Sequence, residues 1–294
     1  MKKTIRDLSK MKTENQKLTW ITCYDYSLAS VIEKSDIDMI LVGDSGGMVS
    51  LGYKDTVPVT MDEMLFLTKA VRKGAPSKFI VGDMPKGSYE VSDELAILNA
   101  MRFVKESECD AIKLEGGEIM APRIKAIVNA GISVIGHIGL TPQSATALGG
   151  YRVVGKNEKE INKLVGDASA IQEAGAFGVL LEALPPSIAA LITKEATSIV
   201  FGIGAGNKVD GQLLILHDLL GLYPNFRPKF AKCYVPQVLS DFKNKLENER
   251  DLVEYGRKER KDGLHEIAYL AVQSYVNEVK EGKFPTAEFS YKDS

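Results

Sequence analysis

The chain reads as an α/β protein, a (β/α)8 TIM barrel with extra terminal helices, and three observations lead there. Short apolar runs rich in β-branched residues alternate with segments of helical period, the pattern of βα units on a parallel sheet. Eight such runs can be picked out, at residues 18–24, 39–43, 79–82, 111–114, 133–136, 178–181, 198–203 and 230–234. Most are continuously apolar rather than alternating, as expected of strands covered on both faces. The length of 294 residues suits one barrel of about 250 residues with additions, so residues 1–294 are expected to form a single domain.

In chain order, the first run (18–24) ends at Asp25 and the second (39–43) at Asp44 and Ser45. Thr60 and Glu63 have capping-box spacing ahead of Met64, Leu67 and Val71, which starts a helix. The third run ends at Asp83; the fourth carries Lys113 and ends at Glu115. Pro122 fits the first turn of the next helix, where its missing amide would have been unpaired anyway, and Gly131 fits the stop. The fifth run reaches His137. Asn157 and Glu160 again show capping-box spacing, ahead of Ile161, Leu164, Ala168 and Ile171, with Gly175 as the stop. The sixth run ends at Glu182, the seventh runs into Gly202-Ile203-Gly204-Ala205-Gly206-Asn207, and the eighth is 230–234. Beyond it, 236–294 is expected as a C-terminal helical extension packed on the barrel or on a neighbouring subunit. It holds a densely charged stretch, 242–260, and an amphipathic helix, 264–279, with Leu264, Ala268, Ala271, Val272 and Tyr275.

Composition narrows the function classes. Hydrophobic residues make up 45% and charged residues 26%, ordinary globular proportions that exclude disordered or low-complexity readings. With 37 Lys+Arg against 39 Asp+Glu the net charge is −2, which argues against nucleic acid as partner. No apolar run approaches the roughly 18 residues of a membrane span, and the basic N-terminal segment never passes into an apolar one of signal type. A cytoplasmic location is expected. Three widely spaced cysteines, Cys23, Cys109 and Cys233, suit a reducing compartment and not a disulfide framework. With only three histidines, no CxxC and no HExxH, any metal must be held by carboxylates.

What ends the strands is the informative pattern. In a parallel barrel all C-terminal strand ends face one mouth, so Asp25, Asp44, Asp83, Glu115 and Glu182 converge there with Lys113 and His137. So many acids repel one another without a cation, and a hard divalent ion such as magnesium is the economical remedy. Asp44 and Asp83 read as ligands or as helix N-caps; neither is followed directly by a helical segment, which favours the first. Glu115 reads as a ligand, as the salt-bridge partner of Lys113, or as both. Lys113 alternates with Ile112 and Leu114 and so points into the barrel, either paired to the acids or facing an anionic substrate group. His137 is a site residue or a satisfied core histidine. Glu182 leaves an apolar run, which would desolvate it and raise its pKa toward general-base work, unless it is an exposed loop acid. The glycine-rich stretch after the seventh run is either a phosphate cradle or a demand of tight packing.

Longer motifs then resemble a known family. Thr22-Cys23-Tyr24-Asp25-Tyr26-Ser27, Val42-Gly43-Asp44-Ser45, Pro58-Val59-Thr60, Arg72-Lys73-Gly74-Ala75-Pro76, Lys113-Leu114-Glu115-Gly116-Gly117, Gly136-His137-Ile138-Gly139-Leu140-Thr141-Pro142-Gln143 and Gly149-Gly150-Tyr151 are similar to ketopantoate hydroxymethyltransferases. The glycine-rich stretch, Asp210-Gly211-Gln212, His217-Asp218, Pro228-Lys229-Phe230 and Phe284-Pro285-Thr286-Ala287-Glu288 continue the match. The resemblance implies a barrel of the phosphoenolpyruvate/pyruvate type and transfer of a hydroxymethyl group from 5,10-methylenetetrahydrofolate to 3-methyl-2-oxobutanoate. The product would be 2-dehydropantoate, on the way to pantothenate and coenzyme A. It places Mg2+ on Asp44, Asp83 and Glu115, the keto acid on Asp44, Ser45, Asp83 and Lys113 with His137 beside it, and the proton acceptor at Glu182. It also implies a homo-oligomer, with a decamer built as a ring of dimers as the candidate assembly.

Three positions depart from the family pattern: Gly46 for a bulky apolar residue, Tyr53 for a frequent histidine, and Lys86 for a frequent phenylalanine. They flank the expected metal loops. Two competing readings remain at this level: a magnesium-dependent carbon–carbon lyase or isomerase acting on a 2-oxo acid, and a catalytically silent barrel that binds a metabolite.

Overall fold

Eight parallel strands close on themselves in sequence order: β1 (Leu18–Thr22), β2 (Met39–Val42), β3 (Phe79–Asp83), β4 (Ala111–Glu115), β5 (Val134–Gly139), β6 (Gly178–Glu182), β7 (Ile199–Ile203) and β8 (Gly211–Leu214). The ring is completed where β8 pairs with β1, from Leu18 opposite Gly211 to Ile21 opposite Leu214, so no sheet edge is left open. The structure is a computed structural model; it describes residues 2–145, 149–248 and 264–293, with the backbone alone for 242–248. The helices are α1 (Ile5–Thr13), α2 (Tyr26–Glu33), α3 (Gly46–Val49), α4 (Met61–Gly74), α5 (Asp93–Ser107), α6 (Ala121–Asn129), α7 (Glu158–Glu173), α8 (Pro186–Glu195), α9 (Leu216–Leu220), α10 (Val235–Asn248) and α11 (Leu264–Lys280).

Helix punctuation agrees closely with the sequence. The Thr60 hydroxyl accepts from the Glu63 amide, and the Glu63 carboxylate accepts from the Thr60 amide at 2.8 Å, a reciprocal cap on α4. Asn157 caps α7 through the Glu160 amide at 3.0 Å. The Glu160 carboxylate, however, turns to the amides of Gly155 and Lys156 and leaves that of Asn157 alone, so this cap is one-sided. Gly131 and Gly175 both take positive φ, the backbone needed to end α6 and α7.

The eighth strand differs from expectation. β8 is Gly211–Leu214, and only seven residues separate it from β7, too few for a helix. Residues 230–234 form no strand; they bury Phe230 and Tyr234 against the C-terminal part of the chain. The Tyr234 ring meets the Tyr275 ring edge-on at 6.1 Å, and its hydroxyl donates to Glu278. A short, largely apolar run that buries Phe230, Ala231 and Tyr234 thus imitates a strand, and a helix expected after every strand hides the short run that closes the barrel.

Inside the barrel the rings of Phe79 and Phe177 meet at 6.0 Å near the base, and those of Trp20 and Phe201 at 4.9 Å. Helix α1 crosses the N-terminal end, where the Lys12 ammonium donates to the carbonyls of Ala196 and Ser198 and to Asp210. Helix α11 packs on the outside of the barrel against β1 and α2. It buries Ala268, Ala271, Val272, Tyr275, Val276 and Val279, and the Tyr275 hydroxyl lies within hydrogen-bond distance of the carbonyls of Trp20 and Gln212. Leu264, expected on its buried face, is 84% exposed. Residues 249–260 of the charged stretch lie outside the described residues. No helix among the described residues is long and apolar enough to cross a membrane.

Candidate active site

The strand ends bring Asp44, Ser45, Asp83, Lys113, Glu115, His137 and Glu182 to one mouth. Lys113 is the hub. Its Nζ lies 2.8 Å from Asp83 Oδ1, 3.3 Å from His137 Nδ1 and 3.9 Å from Glu115 Oε1. The far side of the imidazole continues the chain, with Nε2 at 3.2 Å from Glu182 Oε2, while Nδ1 is 3.5 Å from Glu115 Oε1. Asp83 Oδ2 in turn accepts the Asp44 backbone amide at 3.1 Å. Asp44, Asp83, Lys113, Glu115 and His137 are all buried, whereas the Glu182 side chain keeps 16% of its surface open. Glu182 therefore faces the mouth with an imidazole at its back, where the sequence suggested apolar surroundings.

Register explains the convergence. Asp83 on β3 is level with Lys113 on β4, and Glu115 on β4 is level with His137 on β5. Side chains of one parity point inward, so the polar layer at the mouth is a consequence of the strand period. Gly139 lets the tips of β5 and β6 touch: a Cβ there would stand 2.3 Å from the Glu182 carbonyl, which accepts the Leu140 amide instead.

Four carboxylates share one ammonium and one imidazole, and the electrostatics record the imbalance. Burial, then Asp83 and Glu115, pushes the Asp44 carboxyl well above the usual carboxylate range. Burial also raises Asp83, against the pull of Lys113. Burial opposes the Lys113 charge, yet Asp83, Glu115 and Asp44 outweigh it and hold the ammonium above its ordinary range. Burial and Lys113 likewise oppose a charge on His137, but Glu115 and Glu182 hold it protonated up to about 9. The site wants more positive charge than the protein provides.

Other expected residues sort differently. Asp25 is the N-cap of α2, accepting the Leu28 amide at 2.9 Å, and is not one of the linked acids. Ser45 Oγ lies 2.8 Å from the hydroxyl of buried Tyr24. Gly46 makes room for that tyrosine, since a Cβ there would lie 2.7 Å from the Tyr24 ring and 3.0 Å from Leu67. Tyr53 donates to Glu63, and Lys86 pairs with Glu90 at 2.9 Å, so both family departures are satisfied locally. The glycine-rich stretch answers to packing: Cβ atoms at Gly204 and Gly206 would lie 2.5 Å from Phe230 and 2.7 Å from Pro186.

One central residue has no role that the sequence announces. Gln143, just after β5, is buried; its Nε2 donates to Asp44 Oδ2 and to the Met84 carbonyl, both at 2.9 Å, and its backbone amide donates to Glu115 Oε2 at 3.0 Å. Its position in Thr141-Pro142-Gln143 is visible in the sequence, but its reach across to β2 is not.

A hard cation fits the chemistry of these donors. All are oxygens, the acids exceed the cations, and Asp44 is held next to Asp83. Among the described residues no three Asp, Glu, His or Cys side chains converge to hold an ion by themselves. Magnesium does not demand that, since it takes one or two carboxylates and fills its octahedron with waters and substrate oxygens.

A closed parallel barrel with an acidic mouth defines a class first. The fold is that of 2,3-dimethylmalate lyase, a member of the PEP mutase/isocitrate lyase superfamily (TM-score 0.58, 16% identity, 94% of this chain and 98% of that one). Phosphonopyruvate hydrolase, solved as a complex with oxalate and Mg++, is equally close in fold (TM-score 0.58, 12% identity, 97% and 100% covered). The sequence is more specific: the ketopantoate hydroxymethyltransferase family matches residues 2–287. The 3-methyl-2-oxobutanoate hydroxymethyltransferases of Desulfotalea psychrophila and Moorella thermoacetica are 44% and 45% identical to this chain, over 100% and 98% of it and 96% and 97% of their own lengths. The chain belongs to the ketopantoate hydroxymethyltransferase family and is a transferase.

Proposed function

We propose that the mouth binds 3-methyl-2-oxobutanoate beside a magnesium ion held by Asp44, Asp83 and Glu115, one or two of them directly and the rest through its waters, and adds to its C3 the one-carbon unit of 5,10-methylenetetrahydrofolate. The observation that carries this reading is the excess of buried carboxylate around Lys113, with Glu182 alone open to the mouth. When bound, the ion supplies electrophilic polarisation of the 2-oxo acid, which acidifies C3. Glu182 takes the C3 proton. Water breaks the two C–N bonds of the methylene group, its oxygen staying on the carbon and its two hydrogens going to the nitrogens of the departing tetrahydrofolate. The carbanionic C3 bonds to that carbon, and the resulting alkoxide takes the proton back from Glu182 to give the hydroxyl. His137 at 3.2 Å orients the Glu182 carboxylate. Lys113 supplies positive charge toward the substrate carboxylate, and Ser45, backed by Tyr24, a hydrogen bond. The product is 2-dehydropantoate, a precursor of pantothenate and coenzyme A. The chain works in the cytoplasm as a homo-oligomer, a decamer being the assembly to look for; a monomer in sedimentation at working concentration would remove that part.

The test is proton NMR in D2O with the keto acid and magnesium, watching the C3 methine before adding the folate. Metal-dependent loss of the signal, then hydroxymethylated product, is the expected sequence. Exchange without product would move the donor; no exchange with any divalent metal would overturn the reading. Glu182→Gln is expected to bind the keto acid and slow exchange by roughly 10²- to 10⁴-fold; retained exchange would take the base role from Glu182.

A further inference from the structure

Gln143 touches two of the three acids expected to hold the metal, and the direction of each of its hydrogen bonds is dictated by chemistry. The Glu115 backbone amide can only donate, and it points at the Tyr89 hydroxyl oxygen at 3.3 Å. The phenol hydrogen then goes to Gln143 Oε1 at 2.7 Å. With Oε1 so engaged, the Gln143 amino group must face the Met84 carbonyl, which can only accept, and Asp44 Oδ2, which accepts when the carboxyl is ionised. A flipped amide would set Oε1 against two acceptors and aim its N–H groups at the donating phenol. Tyr89 and Gln143 are 2% and 3% exposed, so no water replaces a lost partner cheaply.

We propose that Gln143, oriented by Tyr89, is a positioning residue for the metal centre: its amide fixes Asp44, its backbone N–H fixes Glu115, and the loop after β5 thereby completes the ion's site. The proposal rests on the reading of Asp44, Asp83 and Glu115 as the residues that hold the ion. With Oδ2 of Asp44 and Oε2 of Glu115 committed to Gln143, one oxygen of each carboxylate is assigned to the loop, and the other is left for a cation or for Lys113 and His137. The contacts tie the end of β5 to the ends of β2, β3 and β4, so the loop and the ion stabilise each other.

The experiment titrates Mn2+ into the full-length protein by electron paramagnetic resonance, without substrate. Gln143→Met keeps the side-chain volume and the backbone N–H and removes only the amide. Its Mn2+ dissociation constant should rise roughly 10- to 100-fold, and its keto-acid exchange rate should recover as the metal concentration is raised. Tyr89→Phe, which removes one hydroxyl and frees the amide to flip, should weaken Mn2+ binding by a smaller factor. An unchanged dissociation constant in Gln143→Met overturns the proposal, as does lost exchange that excess metal does not restore, since that is the mark of a merely structural role. If Gln143→Met fails to fold, an unchanged constant in Tyr89→Phe overturns it. Wild-type protein that binds no Mn2+ would instead sink the reading of the acids as metal ligands.

Discussion

At the N-terminal end of the barrel Asp110 accepts from Arg72 at 2.6 Å, Lys2 at 2.5 Å and the Ile80 amide at 2.8 Å. Arg72 spends its remaining N–H groups on the carbonyls of Glu108 and Lys78. Asp210 is matched to Lys12 and the Val200 amide, and Asp38 to Lys3 and Thr19. At the mouth, by contrast, Asp44, Asp83, Glu115 and Glu182 share Lys113 and His137. Each of these three acids at the base has its own cation and its own amide; the mouth is left unbalanced. A fold keeps unbalanced buried charge only where something else will neutralise it, so the asymmetry itself marks which end binds.

Substitutions of matching chemistry at the two ends should therefore act in opposite senses. Asp44→Asn should abolish metal-dependent C3 exchange, by at least about 10²-fold. It should also stabilise the metal-free protein by on the order of 1 kcal/mol, because burial and two neighbouring carboxylates work against the ionised form. Exchange by NMR and denaturant melts without metal read the two effects separately; a loss of both would place Asp44 among the structural acids. Asp110→Asn should do the reverse. Leaving Arg72 without its carboxylate in a site where the two side chains are 10% and 14% exposed should destabilise by about 4 kcal/mol, with Mn2+ affinity and exchange unchanged. A shift in Mn2+ affinity would show that the ends are coupled.

Much of this asymmetry is legible in the sequence, because a polar residue closing an apolar run in a parallel barrel is already a statement about place. Asp83 is separable from a cap by the proline on its C-terminal side, where Asp25 leads directly into the helix it caps. For Asp44 the same reasoning fails, because the glycines after it open the short helix α3 with Ser45 at its N-cap; its carboxylate is set apart from a cap by its contact with Gln143. Relations without a local signature are not legible. Gly211-Gln212-Leu213-Leu214 has no β-branched residue and comes after a connection too short for a helix, so the sequence pattern points past β8 to a buried segment further on. Gln143 acts on Asp44 across 99 residues, and neither periodicity nor spacing carries such a contact. The apolar setting inferred for Glu182 fails for the same reason, because His137 reaches it from the neighbouring strand.

Asp218, in α9 just past the end of β8, sharpens the comparison, being a buried acid on the mouth side whose carboxylate has no hydrogen bond or ion pair among the described residues. It is 4% exposed; burial pushes its carboxyl up to about 6, opposed by Arg227. Because the folded value lies above the unfolded one, the native state holds the proton more tightly between about pH 4 and 6. Its contribution to stability is therefore greatest below that window, falls as pH rises through it, and stays constant above, a difference of about 3 kcal/mol for a shift of this size. Asp218→Asn should remove that slope: the difference in unfolding free energy between variant and wild type should grow from pH 4 to pH 6 and then level off. Denaturant melts at pH 4.5, 5.5 and 7 would show it. Parallel curves would mean that Asp218 is already compensated in the native state, and that unbalanced charge at the mouth is confined to the acids around Lys113.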